Sequence, residues 1–405
     1  MGKKIIILFS LALIVRLVAL SFFDNSQSLI HKDSEDYVAV AENLVTRGIY
    51  SMDTGPDISS DNFRTPIYPF FLVPFVYLGA SPYAVAIAQD ILTAMGITLI
   101  YHLGRKVFSK RVAFGGTLLF ALEPYSALIA NQLLTEWLFT LTLAPALLLL
   151  ALYTKEGGTS NLYISTILFA LSALTKPLAL PLLPLIVITA LFVKRDKSVI
   201  ISALIMIMVI APWIVRNKLV IDRWSFSTIG EYNLYNYNAK HFDRWLSDRG
   251  IQPQDDDAYP EISLQNYHRP EKADAYLEAG KNFILNKPFA YLEFILLKLP
   301  AFFLDTGYST LSDGLETSPR VTKLVLFLGS IFFLLVTILA ALNYKQKFFI
   351  IILMALAIIA SPFGAARYRV AINPILFMLA LDSLFIFYNT FRKRAADTGP
   401  DASAA

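Results

Sequence analysis

Apolar runs of roughly 17 to 22 residues, long enough to cross the hydrocarbon core of a bilayer as a helix, recur along most of the chain. They fall at 5–23, 83–104, 112–130, 135–153, 161–175, 177–193, 198–215, 321–343, 347–362 and 370–388. This pattern predicts an all-α integral membrane protein with ten crossing helices. Two further apolar stretches are interrupted. Residues 66–80 carry Pro66, Pro69 and Pro74, and residues 288–304 carry Glu293 and Lys298, so both read as helices lying in the interface. Between the runs, the stretch Tyr37, Val40, Ala41, Leu44 and Val45 has helical spacing behind a cluster of acids. It predicts an amphipathic helix resting on the membrane.

The basic residues then orient the bundle. Lys and Arg accumulate in short cytoplasmic loops, and here they cluster at Lys3/Lys4, Arg105/Lys106/Lys110/Arg111, Lys194/Arg195/Lys197, Lys345/Lys347 and Arg392/Lys393/Arg394. All five clusters share one side only if the two interrupted stretches do not cross. Both termini are then cytoplasmic, and two long segments, 24–82 and 216–320, lie on the outer face of a bacterial inner-membrane type of protein. The layout is one membrane domain over 1–394, followed by a tail, 395–405, whose Ala, Asp, Gly, Pro and Ser content predicts disorder.

Composition agrees: 56% of the 405 residues are hydrophobic and 16% charged, against about 25% charged in soluble domains, and mean hydropathy is +0.55. A net charge of +4, spread over loops with no aromatic-studded basic face, argues against nucleic acid as a partner. The absence of cysteine excludes disulfides and thiolate metal sites. The first apolar run follows Lys3 and Lys4 and lacks a small-residue cleavage site, so it reads as a retained span.

Charged residues at membrane depth are costly and mark function by default. On this topology they converge on the outer face. Asp33, Glu35 and Asp36 follow the first span, and Glu123 and Glu136 stand at span ends; Arg64, Lys176, Arg216, Arg367 and Arg369 join them. Cations there suit a lipid phosphate, holding it and stabilising it as it leaves. A carboxylate, Asp33 or Glu136, is the natural base for an acceptor hydroxyl. Blander readings stand beside these. Asp33 suits a helix N-cap, Glu123 before Pro124 reads as structural, and Lys176 and Arg216 suit interfacial anchoring. Arg16 reads as snorkelling toward the cytoplasmic half or pairing with an acid. Asn and Tyr in the second outer segment suit a sugar cleft or an ordinary interface, and the segment, with its run Asp255, Asp256 and Asp257, reads as a small cap or long ordered loops. His31 with scattered carboxylates is a poor transition-metal signature, so no metal ligand is assigned, and a divalent cation is left open as an additional requirement.

These motifs resemble the membrane glycosyltransferases of the C superfold (GT-C), in the group of protein O-mannosyltransferases and the lipid A aminoarabinose transferase. DSEDYVAVA from Asp33 is similar to that group's first-loop motif, which implies that Asp33 is the catalytic base. RTPIYP from Arg64 resembles the basic residue and prolines that follow, implying that Arg64 contacts the lipid phosphate. LTEWLF holds a second acid, Glu136. ALTKP, PWIVRN and ARYRVAINP resemble later marks, implying phosphate or sugar contacts for Lys176, Arg216 and Arg367. Tyr37 and Tyr68, within the first two motifs, complete the expected substrate-binding set. Ser34 stands where the family often has a second acid, which leaves the supporting role to Glu35, Asp36 or Glu136.

The resemblance implies an inverting enzyme that moves a hexosyl or pentosyl group from a polyprenyl-phosphate donor to a lipid, glycan or protein hydroxyl at the extracytoplasmic face of the cell membrane. The alternative from another class is a secondary transporter with a charged outward-facing substrate site. Transporters place such charges near the midplane in repeated, broken helices, and no repeat is visible here.

Overall fold

A computed structural model describes residues 2–193, 197–251, 262–263, 265–307, 319–360 and 366–397. No strand occurs among them. The chain opens with α1, Gly2–Leu20, and then turns into α2, Lys32–Arg47, and α3, Ile67–Tyr77. A long helix, α4, Pro82–Val107, leads to α5, Lys110–Leu122, and α6, Pro124–Asn131, with α7 at Glu136–Glu156. After α8, Thr159–Thr175, a 3-10 turn over Pro177–Leu182 runs into α9, Leu183–Val193, and α10 spans Lys197–Ile221.

The second connecting segment holds α11, Ile229–Asn233, a π turn at Leu234–Ala239, α12, Lys240–Ser247, α13, Ala273–Asn286, and α14, Pro288–Leu304. The chain closes with α15, Pro319–Ala341, α16, Lys347–Ala360, and α17, Ala366–Arg369. A 3-10 turn, Val370–Ile372, then passes into α18, Asn373–Asp397.

Each of the ten expected spans therefore falls on a helix or a helix pair. Those over 82–107, 136–156, 197–221 and 366–394 are long and apolar enough to cross a bilayer as they stand, and α5 with α6 makes a fifth. The run expected as one span over 112–130 is bent by 55°. Pro124 has no N–H to continue the ladder, and Glu123 instead accepts from the backbone N–H of Tyr125 at 2.9 Å and of Ser126 at 2.7 Å. Glu123 is thus a helix cap, as the bland reading expected. The interrupted stretches are helical. At about 1.5 Å per residue the 11 residues of α3 reach about half the thickness of the core. α14 equals α8 in length, 17 residues each, and differs from it by Glu293 and Lys298 in its middle. Ala395, Ala396 and Asp397, expected to begin a disordered tail, continue α18; residues 398–405 and the acidic run at Asp255 lie outside the described residues.

Burial separates the centre from the rim. In α7, 83% of the apolar window is buried, against 28% in α10, whose Ile200, Leu204, Ile207 and Met208 are exposed where lipid tails would solvate them. α7 packs on α4, α8 and the turn Val370–Ile372, and α5 packs on α18. The latter approach needs Gly116: a Cβ there would stand 2.5 Å from Cγ and 2.8 Å from the backbone nitrogen of Met378. Small residues permit such close helix contacts in membranes.

Candidate active site

α2 begins with a capping box. His31 accepts from the Asp33 N–H at 3.2 Å, and Ser34 Oγ accepts from the His31 N–H at 3.0 Å. His31 is therefore the cap, which corrects the reading of Asp33 as one. Ser34, in the place where an acid was expected, serves the box, and the Asp33 side chain is left to reach elsewhere.

It reaches two arginines from opposite parts of the chain. Asp33 Oδ1 accepts from Arg64 Nη2 at 2.9 Å, and Oδ2 from Arg367 Nη1 at 2.7 Å. Each guanidinium has a second acid on its inner edge: Arg64 Nε donates to Asp36 at 3.0 Å and Arg367 Nε to Glu136 at 2.6 Å. Glu136 also accepts from Lys176 Nζ at 2.8 Å. The result is an unbroken alternation, Asp36, Arg64, Asp33, Arg367, Glu136, Lys176, with three charges of each sign. Glu136 Oε2 is the oxygen in it with no partner among the described residues.

The helix ends make this convergence. Asp33 and Asp36 are in the first turns of α2 and Glu136 opens α7. Lys176 follows the last residue of α8, and Arg367 is in α17. Buried charges persist when paired and hydrogen-bonded, and here each acid faces at least one cation. Burial would raise the Asp33 carboxyl, but Arg64 and Arg367 more than offset it and hold it well below the usual carboxylate range. Burial, opposed by Glu136, pulls the Lys176 ammonium down to about 8. Its Nζ also lies 4.5 Å from the Tyr368 ring centroid.

A cavity of about 240 Å³ opens beside this chain of charges. Asp33, Tyr37, Arg64, Lys176, Arg367 and Tyr368 form its polar wall. Pro177, Leu178, Pro181 and Ile359 give it an apolar one, and Ile229, Gly230, Asn233, Leu234 and Asn238 of the second segment close it. Asp33 keeps 30% side-chain exposure, through the cavity. Of the asparagines in that segment, Asn233 and Asn238 are in this lining.

Two expected residues stand apart. Tyr68 is fully buried, donates to Gln89 Oε1 at 2.7 Å and packs edge-on against Tyr37, with ring centroids 5.1 Å apart. It supports the cavity wall from behind and does not line it. Arg216 is stacked between Tyr50 and Trp213 and gives its N–H groups to the carbonyls of Asp61, at 2.6 Å, and Tyr50, at 3.3 Å. It borders a separate apolar cavity with Ile67, Phe70 and Val220 and ties α10 to the first loop. Arg369 likewise serves carbonyls, those of Phe302, Phe303 and Asp305. Arg16 is fully buried and donates to Ala12 and Ala121 carbonyls, so it does not snorkel. It lies late in α1, beside α5, whose Ala121 carbonyl receives it. Sequence reasoning missed Tyr267, which donates to both oxygens of Asp36 at 3.0 Å; no short motif marks it. No cluster of three metal-binding side chains occurs among the described residues.

A profile of the family described as dolichyl-phosphate-mannose-protein mannosyltransferase matches residues 64–215, a stretch that contains Arg64, Glu136 and Lys176. Among solved structures, the apo oligosaccharyltransferase of Archaeoglobus fulgidus aligns over 98% of this chain with TM-score 0.52 and 16% identity. The chain has the fold of the GT-C membrane glycosyltransferases. It spans about half the length of that archaeal enzyme, 52% of whose chain is covered. ArnT from Cupriavidus metallidurans bound to undecaprenyl phosphate aligns over 94% of this chain and 77% of its own, at 12% identity and TM-score 0.45. The Archaeoglobus AglB complex with an inhibitory peptide and a dolichol-phosphate aligns over 97% and 52%, at 13% and 0.47. No curated protein matches the chain in sequence. The expected GT-C class, an all-α multi-pass membrane protein, is thus borne out.

Proposed function

We propose that this chain is an inverting glycosyltransferase that moves a hexosyl or pentosyl group from a polyprenyl phosphate to an acceptor hydroxyl at the extracytoplasmic face of the cell membrane. The observation that carries the reading is one carboxylate, Asp33, held between two guanidiniums at the mouth of a cavity with one charged and one apolar wall. A lipid-linked phosphate sugar has the same division. Its phosphate takes the Arg64, Arg367 and Lys176 side, its isoprenoid chain the Pro177, Leu178 and Ile359 side, and its sugar the asparagine side.

The step is a single displacement. The acceptor O–H gives its proton to Asp33 while its oxygen bonds the anomeric carbon on the face opposite the phosphate. The C–O bond to phosphate breaks, and its electron pair leaves on the polyprenyl monophosphate, whose new charge the three cations stabilise. Configuration inverts because attack and departure take opposite faces. Asp33 returns its proton to water through the cavity. No general acid is needed, since a phosphate so paired is already a good leaving group.

Tyr37, whose hydroxyl faces Arg64 Nη1 at 3.5 Å, stands on the phosphate side; Arg216 and Tyr68 are not included. The reaction needs no divalent cation on this reading, because the Arg367 guanidinium already bridges Asp33 and Glu136, where a metal would have to sit. EDTA is expected to leave transfer unchanged, and abolition by EDTA with recovery on Mg²⁺ or Mn²⁺ would overturn that part. The transporter alternative draws no support from charges placed at helix ends. The test is transfer or release of radiolabelled sugar from a panel of polyprenyl-phosphate sugars by the protein in lipid, with Asp33→Asn beside it. Saturable solute uptake into vesicles, with every donor inert, would sink the reading.

A further inference from the structure

The two guanidiniums that flank Asp33 are each held at both ends, and the ends are not equivalent. Arg64 is gripped by Asp36 at Nε, 3.0 Å, and at Nη2, 2.5 Å, and the same Nη2 reaches Asp33 at 2.9 Å; Arg367 is gripped at Nε by Glu136 and reaches Asp33 with Nη1. Both grips are better covered than Asp33: the side chains of Asp36 and Glu136 retain 13% and 1% exposure, against its 30%. Asp36 is itself fixed by the Tyr267 hydroxyl on both oxygens. Both arginines line the cavity, and their terminal nitrogens already hold an anion there.

We infer that Asp36 and Glu136 are positioning residues, fixing the inner edges of Arg64 and Arg367, and that Asp33 is the resting occupant of the cradle these arginines form for the donor phosphate. The inference rests on the function proposed above and adds an order of events. A planar guanidinium presents donors in a rigid fork, so with Nε anchored its outer nitrogens can pass from one anion to another without the side chain moving. An arriving phosphate takes them from Asp33. The carboxylate loses its two charged hydrogen bonds as the donor binds, and a carboxylate stripped of cations is the stronger base. Base and donor site are thus coupled through shared arginines, and Asp33 is released when there is a sugar to transfer.

The coupling predicts effects of opposite sign from acids of the same charge. The measurement is the affinity of the protein in lipid nanodiscs for a sugar-free polyprenyl monophosphate. Asp33→Asn removes the competitor and is expected to tighten binding by about tenfold or more. Asp36→Ala removes an anchor, frees Arg64 to give more of its fork to Asp33, and is expected to weaken binding by a similar factor. Asp36→Asn keeps an oxygen for Nε and is expected to lie nearer the wild type, and Tyr267→Phe to weaken binding a few-fold. The last two variants carry the test if Asp36→Ala does not fold.

A simple field effect would tighten binding in Asp33→Asn and Asp36→Ala alike, because each removes one negative charge. That shared sign, or unchanged or weaker binding in Asp33→Asn, overturns the inference while leaving the transferase reading intact. A wild type that binds no polyprenyl phosphate removes that reading and this inference together.

Discussion

Among the buried charges of the described residues, two groups are built to opposite rules. At the loop end, Asp36 to Lys176 form an alternating chain whose members face one another at 2.5 to 2.9 Å in their best contacts. Among α1, α4 and α6, Arg16 and Asp90 are fully buried, yet both oxygens of Asp90 and Nε and Nη2 of Arg16 have no partner among the described residues. The first group borders the cavity beside Asp33, and neither Arg16 nor Asp90 is in its lining. Unpaired buried polar atoms cost stability; paired ones beside a cavity are preorganised for an incoming ion. The difference separates charge kept for chemistry from charge embedded in the packing.

The largest expected effect would break that contrast at its two acids. Asp33→Asn keeps the shape of the side chain and removes the base, so transfer should fall by about 10²–10⁴-fold in a protein that still folds. Asp90→Asn should leave turnover per folded molecule within about twofold. Equal losses from both substitutions in a transfer assay would dissolve the distinction. Next come the arginines. Arg64→Ala or Arg367→Ala should raise the donor KM by about a hundredfold, the scale of a truncated buried charge contact. Arg369→Ala should leave that KM unchanged and cost about 3 kcal/mol of stability through three carbonyls left without donors, read as a lowered Tm.

A smaller effect lies in pH. Burial lowers Lys176 to about 8 in the free protein, so the cation is present below that pH and lost above it. The donor kcat/KM, which reports groups of the free enzyme, should decline with a basic limb near pH 8. In Lys176→Arg the limb should disappear, since a guanidinium keeps its proton throughout. A limb unchanged in Lys176→Arg would assign it to another group.

Much of the architecture was legible because membrane helices must satisfy their own backbone, which leaves long apolar runs in the sequence. Positive loops then put Asp33, Arg64, Glu136, Lys176 and Arg367 at one end, and the structure brings those five together. What was not legible turned on rotation about a helix or on a contact across more than two hundred residues. Arg216 sits at a suitable depth but stacks between Tyr50 and Trp213, and no periodicity says which way it turns. Tyr68 points to Gln89 of α4 and away from the cavity. Tyr267 and Asp36 meet across 231 positions, and Arg367 reaches Asp33 across 334. The Arg367 contact carried a motif to announce it; the Tyr267 contact carried none.

The smallest change in activity is expected where the other charged group is replaced as a unit. Removing one of two opposite buried charges leaves the other uncompensated and costs about 3–5 kcal/mol, whereas apolar residues of similar volume in both places are often neutral or stabilising. Asp90→Leu alone should therefore lower Tm sharply, with Arg16 losing the strongest opposite charge that acts on it. Arg16→Met with Asp90→Leu should recover most or all of that loss, and sugar transfer per folded molecule should match the wild type. The same treatment of Arg64 and Asp33 should leave a folded but inactive protein. If the Arg16 and Asp90 double variant folds but transfers no sugar, the second group takes part in function, and paired charge beside a cavity is then not the mark that distinguishes the site.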